Sequence, residues 1–379
     1  MFTRDLAEEI KKTIKTFSVL VLTGPRQSGK TTLLKHLFPN HQYITLESPD
    51  QLLQVKSDPR SIIESFENGI IFDEAQNYPD LFSYIQEYVD KKRSPGRFIL
   101  SGSQNFLLAE SVSQSLAGRA AILELLPLTY KEFSTQSISK DKSVWWYLFH
   151  GSYPGPYQEK HDIKLWYSSY IRTYLERDVR HMLAVSDLSK FQLFLKLCAG
   201  FHGQILNLSN VAQACSISQP TASRWISILE SSYILLKLPP YYRNFKKRLV
   251  KTPKLYFYDS GLVCHLLGIE SPSHLKTHSS RGPIFEGFIL TDLIKHNRSA
   301  QGFYFWQDHR GLEIDIVHEL GSQLNIYEVK SGQTFNESFL DNLKKWQQLS
   351  TCDQSLNLVY SGKKSFSVND ISIRPWNTI

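Results

Sequence analysis

The segment Gly24-Pro25-Arg26-Gln27-Ser28-Gly29-Lys30-Thr31 follows the apolar run Val19-Leu20-Val21-Leu22 and leads into a helical pattern from Thr32 to Phe38. A strand, a glycine loop and a helix start in that order build a phosphate cradle. The glycines allow successive N–H groups to turn inward, and the helix N-terminus adds partial positive charge. The stretch fits G-x-x-x-x-G-K-[ST], in which Lys30 reaches the β- and γ-phosphates and Thr31 offers its hydroxyl to Mg²⁺. Gly24, Pro25, Arg26, Gln27, Ser28, Gly29, Lys30, Thr31 and Thr32 are therefore the expected nucleotide-binding residues.

A second element agrees with the first. Gly69-Ile70-Ile71-Phe72-Asp73-Glu74 reads as a buried strand ending in two carboxylates, the Walker-B arrangement. Asp73 is expected near Mg²⁺, and Glu74 is expected to polarise the attacking water. The distance from the glycine loop accommodates the helix and strand that a parallel sheet needs between the two.

At 379 residues and 41% hydrophobic the chain can bury more than one core, so several domains are expected. The net charge of +7 favours anionic partners. Cys198, Cys215, Cys264 and Cys352 are scattered without C-x-x-C spacing, so neither a zinc site nor a disulfide framework is indicated. Charges occupy the N-terminal stretch where a signal peptide needs its apolar run, and no apolar run of about 18 residues occurs. A cytoplasmic protein without a membrane segment is expected.

From Thr16 to about Phe133 short apolar runs alternate with helical stretches, with strands expected at 19–22, 43–46, 70–72, 98–100 and 121–125. This is the pattern of a doubly wound α/β domain. The strand Phe98-Ile99-Leu100 ends in Ser101-Gly102-Ser103, where Ser103 either senses the γ-phosphate and holds the water or belongs to a strand-ending turn. Arg119, in Leu116-Ala117-Gly118-Arg119, is either an arginine finger for its own or a neighbouring subunit's nucleotide, or an ion-paired surface residue. The chain lacks the N-K-x-D signature that reads guanine, so an adenine nucleotide is expected.

Between about Ser134 and Ser280 the chain becomes helical and aromatic. Trp145, Trp146, Trp166, Tyr167, Tyr170 and Tyr174 read as core, and the charges of Tyr170–Arg180 as an exposed helix face. Further on, Leu208–Ala214 and Pro220–Leu229 have helix-turn-helix spacing. The strand-like segments Tyr233–Leu238 and Leu255–Tyr258 then flank a basic wing. Six Lys or Arg and no acidic residue lie between Tyr241 and Tyr256, which suits phosphate contact. Ser218, Thr221, Ser223 and Arg224 are expected to face nucleic acid. A solvated basic loop, or a winged helix that docks protein, fits the same pattern.

From Gly282 the pattern changes to a mixed α/β module. It carries Glu286 on a helix, Asp315 in the strand Leu312–Val317, and Glu328 with Lys330 in the strand Leu324–Lys330. Residues two apart on a strand share a face, and a hairpin brings Asp315 beside Glu328 and Lys330. Two carboxylates on adjacent strands can hold a hard divalent ion, while a lysine orients water or stabilises the transition state. An exposed ion pair also explains E-x-K.

The whole chain resembles the large prokaryotic family of AAA-plus ATPases fused to a winged-helix segment and a PD-(D/E)XK nuclease-like C-terminal domain. The matching stretches are Gly24–Thr32, Ile70–Asn77, Leu100–Ser103, Leu116–Arg119 with Leu126–Leu128, Tyr174–Val179, Pro253–Leu262, Gly282–Glu286, Gly311–Asp315 and Tyr327–Gly332. The resemblance implies ATPase roles for Lys30, Thr31, Asp73 and Glu74, and nuclease-like roles for Glu286, Asp315, Glu328 and Lys330. One departure is that Ile314 precedes Asp315, so the first half of the PD dipeptide is missing.

The expectation is an ATPase domain over 1–135, a helical region with a winged helix over 136–280, and a nuclease-like domain over 281–379. ATP, Mg²⁺ (Mn²⁺ as an alternative at the C-terminal site), DNA and a second copy of the chain are the expected cofactors and partners. The competing reading is a nucleotide-switched DNA- or protein-binding regulator with an inactive nuclease-like domain. A metabolic kinase ranks below both.

Overall fold

Five apolar runs in the first part of the chain become strands β1 (Val19–Thr23), β2 (Gln42–Thr45), β3 (Ile70–Asp73), β4 (Phe98–Ser101) and β5 (Ala120–Glu124). They form one parallel sheet in the order β2-β3-β4-β1-β5. Alternate residues explain why these runs are apolar throughout. Val19, Val21, Ile70, Phe72, Phe98 and Leu100 enter one core, whereas Leu20, Leu22, Ile71 and Ile99 enter another. A sheet covered on both faces leaves no polar face to alternate with. The N-terminal part is thus the expected α/β domain with a parallel sheet.

The computed structural model describes residues 2–103, 114–135, 139, 142–158, 161–175, 188–242, 251–349 and 353–379. It divides into two compact units. The first comprises Met1–Leu128, Tyr153–Lys160 and Ser231–Tyr233; the second comprises Thr129–Ser152, His161–Glu230 and Ile234–Ile379.

In the second unit the helices Leu208–Ala214 and Gln219–Ser231 stand at the expected helix-turn-helix positions. Asn207 caps the first by accepting from the Asn210 amide, and Ser218 accepts from the Thr221 amide at the start of the second. Ala222, Trp225, Ile226 and Leu229, at helical spacing, form the buried face. Trp225 meets Phe191 and Phe194 edge-on. Ser223 and Arg224 are left exposed. The strands β6 (Gln204–Ile205), β7 (Leu235–Leu238) and β8 (Lys254–Phe257) pair antiparallel in the order β6-β8-β7. The basic stretch Arg243–Val250, the charged stretch from Glu176 and Cys352 lie outside the described residues.

The C-terminal module runs from the helix Arg281–Asn297 through β9 (Phe303–Gln307), β10 (Glu313–Leu320) and β11 (Gln323–Lys330) to the helix Asp341–Leu349. The strands β12 (Gln354–Tyr360), β13 (Phe366–Val368) and β14 (Ile371–Pro375) follow. Its sheet order is β13-β14-β12-β11-β10-β9, with β9, β10 and β11 antiparallel and β12 parallel to β11. Trp306 and Trp346 meet edge-on at 5.1 Å in its core.

Asp259 fixes the packing around β8 in the second unit. It is 2% exposed and accepts four hydrogen bonds: from Tyr167 Oη (2.7 Å), the Leu262 amide (2.7 Å), and the amide (2.6 Å) and hydroxyl (3.0 Å) of Ser152. A Cβ on Gly261 would stand 2.3 Å from the Tyr167 hydroxyl, so this position needs glycine. Asp259→Ala leaves buried donors unpaired and is expected to cost about 3–5 kcal/mol. Chemical denaturation checks this, and a loss below about 1 kcal/mol contradicts it.

Candidate functional site

The glycine loop connects β1 to the helix Lys30–Leu37. Gly24 has φ +144°, and a Cβ there would lie 2.2 Å from the Leu125 carbonyl oxygen, so only glycine allows β1 to pass β5 so closely. Gly29, at φ +94°, turns the chain into the helix, which begins at Lys30. Arg4, buried at 8% exposure, donates to the carbonyls of Ser28 (2.8 Å) and Leu126 (2.6 Å) and so ties the loop to the segment after β5.

Lys30 is 6% exposed and donates to the carbonyls of Gly24 (2.9 Å) and Pro25 (2.8 Å). Burial lowers its pKa to about 8, against the opposing pull of the Glu74 and Asp73 charges. The Ser28 hydroxyl is fully buried and has no hydrogen-bond partner among the described residues. An ammonium resting on loop carbonyls and a buried hydroxyl without a partner fit a loop built around a phosphate.

Asp73 sits at the carboxyl end of β3 at 5% exposure. Three hydroxyls converge on it, from Thr31 (2.7 Å), Tyr43 (2.7 Å) and Ser101 (2.5 Å). Burial pushes the carboxyl up, but these hydrogen bonds and the Lys30 charge outweigh it and hold Asp73 below the usual range. Thr31 and Asp73 together offer the hard oxygen ligands that Mg²⁺ takes. Glu74 follows with left-handed backbone, φ +53°, rare for a non-glycine residue. Its Oε2 accepts from Gln76 Nε2 (2.5 Å), Ser103 Oγ (3.1 Å) and the Ser103 amide (3.3 Å). Ser103 thus touches Glu74 directly. Arg119 makes a two-pronged ion pair with Asp90, at 2.5 Å and 2.9 Å.

Sequence reasoning missed Tyr43, Ser101 and Arg4. Tyr43 and Ser101 signal their role only by standing on strands that flank β3.

At the C-terminal set, β10 and β11 form the expected hairpin, with Ile316 opposite Tyr327. Asp315 and Glu328 are buried at 8% and 1% exposure. Asp315 Oδ2 accepts from the Val329 amide (2.8 Å). Glu328 Oε1 accepts from Lys330 Nζ (2.6 Å) and Asn342 (3.0 Å), while its Oε2 is buried with no hydrogen-bond partner among the described residues. Glu286 Oε1 accepts from Lys254 Nζ (3.2 Å) and from the Tyr256 hydroxyl. Lys254 is also ion-paired with Glu313. Burial pushes Glu286 up to about 7, with Lys254 opposing, and Glu328 up to about 8, helped by Asp315.

One sequence expectation changes here. Lys254, one of the six basic residues assigned to the wing, is 3% exposed and pairs with carboxylates, so it is not free for phosphate. The expected metal set Glu286, Asp315 and Glu328 is engaged by the chain's own donors. Among the described residues no group of three or more His, Cys, Asp or Glu side chains is placed to hold a metal ion. No helix among them is long and apolar enough to cross a membrane. Cys198, Cys215 and Cys264 are free and buried.

Residues 16–134 match a family model described as an AAA domain, which supports ATP binding and hydrolysis by the N-terminal unit. Residues 141–273 and 281–379 match domains of unknown function, DUF8612 and DUF4143. An uncharacterized protein of Mycobacterium tuberculosis is 29% identical over 372 residues, which is 97% of this chain and 82% of the relative. One from Haemophilus influenzae is 25% identical over 313 residues, 74% of this chain and 76% of the relative. Among solved structures, a Walker-type ATPase of Pyrococcus abyssi aligns with TM-score 0.48 and 16% identity, covering 70% of this chain and 96% of that one.

The lowered Lys30 pKa has a measurable consequence in nucleotide-free protein. The folded value of about 8 lies below the ordinary 10.5, so folding disfavours the charged form. The penalty is complete below pH 8, and stability rises between pH 8 and 10.5 as the unfolded chain alone keeps the proton. Lys30→Met is therefore expected to melt higher than the wild type at pH 7, with the gap closing as pH rises towards 10.5. Calorimetry across this range checks the sign, and a lower-melting variant at pH 7 contradicts it.

Proposed function

We propose that the protein hydrolyses ATP at the loop Gly24–Thr32 with Asp73 and Glu74, and engages DNA through the helix Gln219–Ser231. The supporting observation is the convergence of Lys30, Thr31, Asp73, Ser101, Glu74 and Ser103 at the carboxyl edge of one parallel sheet. In doubly wound sheets this edge receives the ligand.

In this reading the loop amides and Lys30 bind the phosphates, Lys30 exchanging two loop carbonyls for phosphate oxygens. Thr31 and Asp73 hold Mg²⁺, which neutralises phosphate charge. Glu74, steadied by Ser103 and Gln76, orients water and accepts its proton. A finger role for Arg119 requires its release from Asp90, and acting on a neighbouring subunit's nucleotide rather than its own would also require a homo-oligomer. A cytoplasmic location is part of the same proposal.

The DNA reading is supported by the exposed Ser223 and Arg224 and by five basic residues at Arg243, Lys246, Lys247, Arg248 and Lys251. Ser218 and Thr221, also expected to face nucleic acid, are hydrogen-bonded to each other at the helix start (2.8 Å). We keep the three-part organisation 1–135, 136–280 and 281–379, and the order of helix, three strands, helix and strand from Arg281 to Tyr360 supports reading the last part as nuclease-like. The pairing of Lys254 with Glu286 and Glu313 favours the second reading for this part: a DNA- or protein-binding module of a nucleotide-switched regulator, without metal-dependent cleavage.

Glu74→Gln is expected to retain ATP binding and to lower kcat by about 10²–10⁴-fold, and Lys30→Ala to abolish turnover. Phosphate-release assays read both, and turnover by Lys30→Ala at the wild-type rate refutes the assignment. Duplex-DNA affinity is expected to fall as salt rises and to weaken in Arg224→Ala. Fluorescence anisotropy that shows no binding, or binding indifferent to salt, removes the DNA component.

A further inference from the structure

Lys254 and Tyr256 lie two apart on β8 and so point to the same face, where both reach Glu286 of the helix Arg281–Asn297. The Lys254 side chain is 4% exposed. Its ammonium contacts Glu286 and Glu313 and lies 5.5 Å from the centre of the Phe305 ring. On the other side of Asp315, Lys330 holds Glu328. The carboxylates expected to bind a metal thus have two ammonium groups among them, and Asp315 accepts from a backbone amide.

We infer that Lys254 is the built-in cation of this site: its ammonium pairs with both Glu286 and Glu313 where a metal-dependent nuclease would need a divalent ion. Two arguments carry it. With no phosphate between them, an ammonium and a divalent cation that draw on the same carboxylates in a poorly polarisable interior repel strongly, so they cannot both occupy the cluster at low cost. Moreover, Lys254 cannot readily swing away, because its side chain is 4% exposed and its backbone is held in a strand paired on both sides. The inference rests on the second reading of the C-terminal part, in which the fold is retained without metal-dependent cleavage.

The test is Mn²⁺ binding by the full chain, read by electron paramagnetic resonance and by thermal shift. All proteins carry Asp73→Asn, so that the N-terminal site contributes no ion. Wild-type Lys254 is expected to give no Mn²⁺ response. Lys254→Met leaves Glu286 and Glu313 without their cation. It is therefore expected to melt lower, to be rescued by Mn²⁺, and to bind the ion at least about tenfold more tightly. Lys254→Met/Glu286→Gln, with a carboxylate also removed, is expected to regain melting temperature without metal and to lose the Mn²⁺ response. If Lys254→Met does not fold, Lys254→Gln is measured in its place against the same expectations.

A wild-type response equal to that of the variant overturns the inference, as does a folded variant that ignores Mn²⁺. Plasmid incubation with the same proteins separates the two levels. Mn²⁺ bound by wild-type Lys254 without DNA cleavage sinks the lysine assignment alone, whereas cleavage that depends on Mn²⁺ and Asp315 sinks the non-cleaving reading as well.

Discussion

A carboxylate removed from water has to find donors inside the protein, and the N-terminal sheet is arranged around how Asp73 finds its own. At 5% exposure it takes hydroxyls from Thr31, Tyr43 and Ser101, which come from the helix after the glycine loop, from β2 and from β4. Because β3 lies between β2 and β4, with Asp73 level with Thr45 and Ser101, the order of the sheet delivers these donors to one point. An unpaired carboxylate there would cost several kcal/mol. The set therefore fixes the loop against the Walker-B strand before any ligand arrives. It also leaves Asp73 ionised and ringed by oxygen, ready for a hard cation.

The C-terminal cluster meets the same problem in another way. Glu286, Glu313, Asp315 and Glu328 face two lysines, an asparagine, a tyrosine and a backbone amide rather than a ring of hydroxyls. Hydroxyl donors satisfy a carboxylate yet leave its charge in place, and so preserve its attraction for a metal. Ammonium donors offset part of the charge. Two acidic sites in one chain can thus have opposite affinities for cations, and their acidic residues alone do not tell them apart.

This contrast explains what could be read from the sequence. The five parallel strands were legible because strands buried on both faces are unbroken apolar runs, and the loop because its glycines, lysine and threonine are contiguous. Asp315, Glu328 and Lys330 were legible as neighbours because a hairpin and a two-residue step fix who shares a face. Lys254 was not, since its partner Glu286 is 32 positions away and its surroundings in sequence are basic. Charge counted along the chain assigned it to the wing, whereas its place on β8 put it among carboxylates. Arg119 poses the same problem: its ion pair with Asp90 spans 29 positions.

Short motifs thus state which side chains share a face, but the chemistry of that face is set by whatever packs over it. For E-x-K on a strand, the two-residue step guarantees that glutamate and lysine emerge together, as Glu328 and Lys330 do. Whether the pair binds a metal depends on the local charge once water is excluded, which a helix and a strand from elsewhere in the chain decide. A tethered ammonium is always present, at an effective concentration that no free ion matches. Where a fold supplies one from a strand held on both edges, the carboxylates are committed to it by connectivity, and a divalent ion has to overcome both that tether and the repulsion of the ammonium it would join.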